Sequence, residues 1–149
     1  MVTIRRTNSS DSAFIEIVKK LDKELAIHNG EQDDFYSQFN GIESLQNCVV
    51  AINNKVPIGS GAFKLFDKDS VEIKRMYVDN DSRGKGISKL ILSELEVWGK
   101  EMGYRRCVLE TGTFLTSAVG LYRSQGYTSI PRYEPYTDVE TSVCFEKVL

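Results

Sequence analysis

Residues 72–92 read EIKRMYVDNDSRGKGISKLIL. The stretch begins as a strand, passes through a basic turn with two glycines, and opens an amphipathic helix. Arg83-Gly84-Lys85-Gly86-Ile87-Ser88 occupies the turn. Two glycines allow a sharp bend and leave the backbone N–H groups uncovered. A helix starting there aims the positive end of its dipole at the same place. Strand, turn and helix N-terminus together form a site for a phosphorylated ligand. The cluster Arg83, Lys85 and Lys89 suits one polyphosphate and is too small for a nucleic-acid groove. The competing reading is a basic turn that only joins two elements. The Walker pattern GxxxxGKS/T is absent, and the dinucleotide pattern GxGxxG fails at Lys89.

Downstream, Ile87, Ile91, Leu95, Trp98 and Met102 recur on one helical face, which predicts a helix over about Gly84–Met102 ended by Gly103. A strand over Arg105–Thr111 follows. A shorter helix over Thr116–Gln125 has Leu115, Val119 and Tyr122 in line, and Gly126 stops it. The chain closes with a brief strand (Tyr127–Ile130), a tyrosine-rich loop (Pro131–Thr137) and an alternating strand (Val139–Val148).

Upstream, Val71–Val78 is the third strand of a meander. Cys48–Asn53 and Val56–Phe66 precede it, joined by a hairpin turn at Asn53-Asn54-Lys55. Val2–Thr7 forms a first strand. Phe14, Ile17, Val18, Leu21 and Leu25 predict a helix running to about Ile27. Between Glu31 and Leu45, the residues Phe35, Tyr36, Phe39 and Ile42 suggest a second short helix. That segment either covers the core or lines a substrate cleft. The expected fold is a mixed α/β (α+β) sheet of about seven strands flanked by about four helices. Its first strands are antiparallel, and a strand–helix–strand crossover makes the fourth and fifth parallel. No repeat, linker or low-complexity tract interrupts residues 1–149, so one domain is expected.

The chain has 149 residues, 41% of them hydrophobic and 27% charged, with a net charge of −2. This balance speaks against a nucleic-acid surface or a membrane-binding face. Cys48, Cys107 and Cys144 are far apart, without CxxC or metal spacing, and His28 is the single histidine. A metal centre or histidine triad therefore lacks support. Dispersed thiols without a signal peptide point to a reducing, cytoplasmic setting. No apolar run is long enough to cross a bilayer.

With the turn and the element order in hand, the chain resembles the GNAT N-acetyltransferase superfamily. The superfamily hallmark Q/RxxGxG/A maps onto Arg83, Gly86 and Ser88, with serine in place of the final glycine or alanine. EIKRMYV before the turn, the segment AVGLYRSQGY and the closing SVCFEKVL are similar to the same superfamily. The resemblance covers essentially the whole chain and is strongest from Glu72 to Tyr127. It implies a GNAT-like fold in which the parallel fourth and fifth strands splay apart, and acetyl-CoA as donor. Backbone amides from Arg83 through Gly84, Lys85, Gly86 and Ile87 to Ser88 would hold the pyrophosphate, with Lys89 beside them. A backbone N–H near Met76, Tyr77 and Val78 would receive the thioester carbonyl.

An amine must lose a proton before it attacks a thioester, and the departing thiolate gains from a proton donor. Each such group contributes roughly 10²–10⁴-fold in rate. Tyr122 matches the superfamily's tyrosine in the pattern LYxxxG and is the candidate acid; the plainer alternative is a core tyrosine on an amphipathic helix. Glu72, fourteen positions before Gly86, matches the glutamate that some members use as base. The alternatives are a salt bridge with Lys74 or a solvent-facing charge. Glu110 is the next carboxylate on the same rim. Phe35, Tyr133 and Tyr136 are candidates for acceptor binding, and the tyrosine loop equally suits a simple turn.

The expected activity is acetyl transfer from acetyl-CoA to a primary amine of a small molecule or peptide, in a direct ternary complex. The alternative is a degenerate module that binds acyl-CoA without turnover. The exposed C-terminal strand offers an edge through which two subunits would pair as a homodimer.

Overall fold

Asn54 and Lys55 both adopt positive φ, at 50° and 69°, and so reverse the chain between its second and third strands. This is the turn geometry whose twist suits a two-residue hairpin. The structure, a computed structural model, describes residues 1–29 and 45–149. The short helix expected around Phe35 and Phe39 lies outside the described residues.

The described elements are β1 (Val2–Thr7), α1 (Ser12–Asn29), β2 (Asn47–Asn53), β3 (Val56–Asp67) and β4 (Ser70–Val78). After a 3-10 turn (Asn80–Ser82) come α2 (Ile87–Glu101), β5 (Arg106–Gly112), α3 (Thr116–Ser124), β6 (Thr128–Ile130) and β7 (Ser142–Val148). The strands form one seven-stranded sheet in the order β1-β2-β3-β4-β5-β7-β6. β1, β2 and β3 pair antiparallel, whereas β4 and β5 pair parallel, as the crossover through α2 requires. The mixed sheet expected from the sequence is therefore the sheet observed, except that the C-terminal strand β7 lies between β5 and β6 and is not the edge expected for pairing between subunits.

Two boundaries move by three residues from the sequence expectation, and the others by two at most. α2 starts at Ile87 rather than near Gly84, because Gly84 and Gly86 sit at φ 80° and 77°, outside the helical region. The last strand starts at Ser142 rather than Val139. The N–H of Val139 donates to the Tyr136 carbonyl, and the Val139 carbonyl accepts from Ser142, so residues 139–141 are occupied by local turns.

The chain packs as two compact units. The first comprises residues 1–64 and 74–95. On one face of its strands, Cys48, Val50 and Ala62 pack with Phe14 and Val18 of α1 and with Leu45, all buried. On the other face lie Gly59 and Gly61, opposite Ala51 and Val49. A Cβ at Gly61 would stand 2.7 Å from Ile91 Cγ2, 2.8 Å from Leu95 Cδ1 and 2.8 Å from Met76 Sδ. The bare backbone of β3 thus lets the first half of α2 lie close. Midway along β4, Arg75 has φ 61°. That conformation costs an ordinary L-residue roughly 1–2 kcal/mol. Ser60 Oγ donates to the Arg75 carbonyl at 2.8 Å, and the Arg75 side chain pairs with Asp22 of α1.

The second unit comprises residues 65–73 and 96–149. β5 is its spine, with register partners Glu72↔Val108 on β4 and Glu110↔Cys144 on β7. Arg106 ties three segments together. Its Nε donates to Ser70 Oγ at 2.9 Å, Nη1 to Glu146 at 3.1 Å and Nη2 to Asp67 at 3.3 Å. Among the described residues, no helix is long and apolar enough to cross a membrane.

Candidate active site

In the first unit, β4 delivers the chain through the 3-10 turn into the segment Arg83–Gly86, which is exposed. The positive φ of Gly84 and Gly86 turns the backbone there, and no side chain or backbone atom stands within 4 Å of where their Cβ atoms would be. The first bond of α2 runs from the Leu90 N–H to the Gly86 carbonyl at 3.2 Å. The N–H groups of Ile87, Ser88 and Lys89 precede it and have no intrahelical acceptor. Lys85 and Lys89 are exposed and Ser88 is half-buried. Bared donors, a helix N-terminus and two lysines at an open turn fit a diphosphate.

The Arg83 side chain, 43% exposed, folds back along its own unit. Its Nε donates to the Val78 carbonyl at 2.8 Å, Nη2 donates to both oxygens of Glu24 at 2.9 and 3.2 Å, and the guanidinium stacks 5.4 Å from the centre of the Tyr77 ring. Burial, followed by the Glu24 carboxylate, holds the Tyr77 hydroxyl above its ordinary value. Arg83 therefore fastens the turn to the end of β4 and to α1. Met76 and Tyr77 are half-buried and Val78 is buried.

In the second unit, period-two alternation and the register place Glu72, Val108, Glu110, Cys144 and Ser142 on one face. Glu72 is buried, and its Oε2 accepts a 2.8 Å hydrogen bond from the Tyr133 hydroxyl. The Tyr133 ring meets Phe66 edge-on at 4.8 Å and Tyr136 at 5.9 Å. Burial, then the Glu72 charge, pushes the Tyr133 hydroxyl far above its usual range. Glu110 accepts from Ser142 Oγ at 2.7 Å. Tyr136 is buried beneath its loop.

Tyr122 lies against the opposite face. Its ring packs 6.4 Å from Phe145, the partner of Leu109, and edge-on to Tyr127 at 5.7 Å. Burial, followed by the charge of Glu110, raises its hydroxyl well above the ordinary tyrosine value, so it stays protonated through the neutral range. The three thiols are free and buried. Burial pushes Cys48 and Cys107 up to about 12 and raises Cys144 as well. None is a ready thiolate at neutral pH.

The second unit thus brings Glu72 together with Tyr133, sets Glu110 on the same face, and sets Tyr122 on the other. Phe35 lies outside the described residues. Sequence reading missed two features. One is the Tyr133–Glu72 bond, which joins residues 61 positions apart. The other is the side chain of Arg75, which no local pattern singles out.

The sequence pattern of the Acetyltransferase (GNAT) family matches residues 15–127. The chain belongs to this family. It is 28% identical over 156 residues to the IAA acetyltransferase of Azospirillum brasilense, a match spanning 99% of this chain and 98% of that protein. A Klebsiella pneumoniae protein provisionally described as an acyl-CoA N-acyltransferase has a similar solved structure, with 25% identity and a TM-score of 0.82. The match covers 100% of this chain and 98% of that one. A GNAT family acetyltransferase from Elizabethkingia anophelis, solved with acetyl-CoA bound, shares the fold at 20% identity and a TM-score of 0.70, over 99% and 98% of the two chains. As a GNAT member the protein is an acyltransferase of a kind that draws its acyl group from a coenzyme A thioester.

Proposed function

We propose that this GNAT member transfers an acetyl group from acetyl-CoA to a primary amine of a small molecule or peptide, by direct attack in a ternary complex. The observation that carries this reading is the buried Glu72 carboxylate, oriented by the Tyr133 hydroxyl at 2.8 Å, in a chain of the GNAT family.

The backbone amides between Arg83 and Ser88 hold the diphosphate with Lys89 beside them, and a backbone N–H among Met76, Tyr77 and Val78 takes the thioester carbonyl. The Tyr133 hydroxyl keeps the Glu72 carboxylate oriented, and Glu72 removes the proton from the incoming ammonium, directly or through water. Glu110 is the second acceptor for that proton. The amine nitrogen attacks the thioester carbon, forming the C–N bond as the C–S bond breaks, and sheds its second proton to water. The thiolate sulfur takes a proton from Tyr122, which recovers one from solvent. The net products are the N-acetyl compound and free coenzyme A thiol. The three protonated, buried thiols favour this direct route over an acyl-cysteine intermediate. They also suit a reducing, cytoplasmic setting.

The test is thiol release from acetyl-CoA across a panel of primary amines, run beside thermal melts with acetyl-CoA alone. Amine-dependent thiol release is expected. Stabilisation by acetyl-CoA without any amine-dependent release would replace this reading with a module that binds the thioester and does not turn it over.

A further inference from the structure

Phe114 stands on the short turn between β5 and α3, within the second unit. The Leu115 N–H donates to the Gly112 carbonyl at 3.0 Å, and the Thr113 N–H donates to the Thr141 carbonyl at 2.8 Å. Backbone bonds on either side of Phe114 therefore fix where it sits. Its ring lies over Gly112, where a Cβ would stand 2.7, 3.0 and 3.2 Å from three of its carbons. The bare glycine is the seat of the ring, and a side chain at position 112 would push the ring away. Phe114 nevertheless stays 41% exposed. An exposed phenylalanine has no meaning by itself; the groups beside it decide what it does.

Strand alternation puts the ring on the carboxylate face. Cβ directions repeat every second residue, so position 112 faces the same way as Glu110. Ser142, the register partner of Gly112, bears this out by donating to Glu110 Oε2 at 2.7 Å. Glu110 and Gly112 are separated by roughly 7 Å along the strand. Glu110 is half-buried, so solvent reaches its carboxylate, and Ser142 helps to fix its plane. A carboxylate has about four acceptor positions, and an ammonium can join the partners already there. Glu72 adds negative charge to this face. Arg106 lies on it too, but its guanidinium is engaged with Ser70, Glu146 and Asp67. A carboxylate on the incoming molecule would therefore be repelled. An apolar group beside the ammonium would instead cover the Phe114 ring and release water from it.

We propose that Phe114 is a specificity residue of the acceptor site, bearing the apolar arm of an amine whose ammonium lies at Glu110. The preferred acceptor is then a primary monoamine with a flat apolar group on a short carbon chain, such as an arylalkylamine. The inference rests on the amine-acetylation reading above and names the class of amine. Every residue that it uses belongs to the second unit.

Phenethylamine against ethylamine tests it, since the two differ only in the ring. With the wild-type protein, kcat/KM is expected to be about tenfold or more higher for phenethylamine. Phenylalanine, which adds a carboxylate, and 1,4-diaminobutane, which replaces the ring with a second ammonium, are expected to fall below phenethylamine. Phe114→Ala is expected to bring the phenethylamine-to-ethylamine ratio to about one, and Phe114→Tyr to keep it. Gly112→Ala, which unseats the ring and leaves it in the chain, is expected to lower the ratio as well. A wild-type ratio near one, a preference for either charged competitor, or a Phe114→Ala ratio as large as wild type overturns the proposal. If no amine is acetylated, the transfer reading fails on its own. The Phe114 site then stands only if phenethylamine, and not ethylamine, raises the melting temperature of wild type and fails to raise that of Phe114→Ala.

Discussion

The hydroxyl of Tyr133 donates a 2.8 Å hydrogen bond to Oε2 of the buried Glu72, joining the tyrosine loop to the start of β4. Tyr133→Phe removes that bond and leaves the carboxylate without its fixed orientation. If Glu72 is the base, kcat is expected to fall about tenfold, the equivalent of one hydrogen bond, with acetyl-CoA affinity unchanged. Glu72→Gln is expected to lose more activity than Tyr133→Phe. Unchanged kcat in Tyr133→Phe would show that the hydroxyl does not act through Glu72.

Tyr122 is held protonated by burial and by the Glu110 charge. Tyr122→Phe keeps the ring packed against Phe145 and Tyr127 and removes only the hydroxyl proposed as proton donor. Turnover is expected to fall about 10²-fold or more, while acetyl-CoA affinity, read by calorimetry, holds. Full turnover in the variant would return Tyr122 to the role of a core tyrosine.

Gly86→Ala has room for its methyl, since nothing stands within 4 Å of that position. The cost is conformational: φ of 77° is unfavourable to alanine by roughly 1–2 kcal/mol. A backbone that relaxes to avoid it re-aims the N–H groups at the head of α2. Acetyl-CoA is expected to bind about tenfold more weakly, measured by the same titration, with little change in the acceptor KM.

Gly61→Ala meets the opposite problem. Its new methyl would lie 2.7 to 2.8 Å from Ile91, Leu95 and Met76. Forced overlap in a packed core typically costs about 1–3 kcal/mol. A clear drop in the urea midpoint is expected, and Leu95→Ala in the same chain is expected to recover part of it by opening space.

Alkaline pH probes the buried hydroxyls and thiols together. Tyr122, Tyr127 and Tyr133 are all raised above the ordinary tyrosine value, and Cys48 and Cys107 reach about 12. Their folded values exceed their unfolded ones, so the stability they contribute is complete below the ordinary thiol value. It is lost as pH climbs, because the unfolded chain releases its protons first. Unfolding free energy is expected to be flat near pH 8 and to fall steadily above about pH 9. Urea titrations across that range read it directly.

Much of the first unit was legible because its signals are local. Asn54-Lys55 marks the hairpin, and the spacing of Ile87, Ile91 and Leu95 marks the buried face of α2. The paired glycines mark the turn, although only the observed positive φ explains why the helix waits until Ile87. Other features depend on partners distant in sequence. Arg75 is a bulky residue in a conformation usually left to glycine, and nothing nearby in the chain announces it. Tyr133 was visible as an aromatic in a loop, but its contact with Glu72 is a matter of tertiary packing. The residues that close the tyrosine loop, Val139 to Thr141, alternate as a strand would, yet both backbone groups of Val139 serve turns.

The reach of Arg83 from the Val78 carbonyl to Glu24 stitches both ends of residues 78–83 to the body of the first unit. A coenzyme docking at the proposed site would accordingly meet a seat that is already shaped, with little chain freedom left to surrender. Its capture would then depend on how quickly an anion drifts toward Lys85 and Lys89, so added salt would slow arrival far more than it hastened departure.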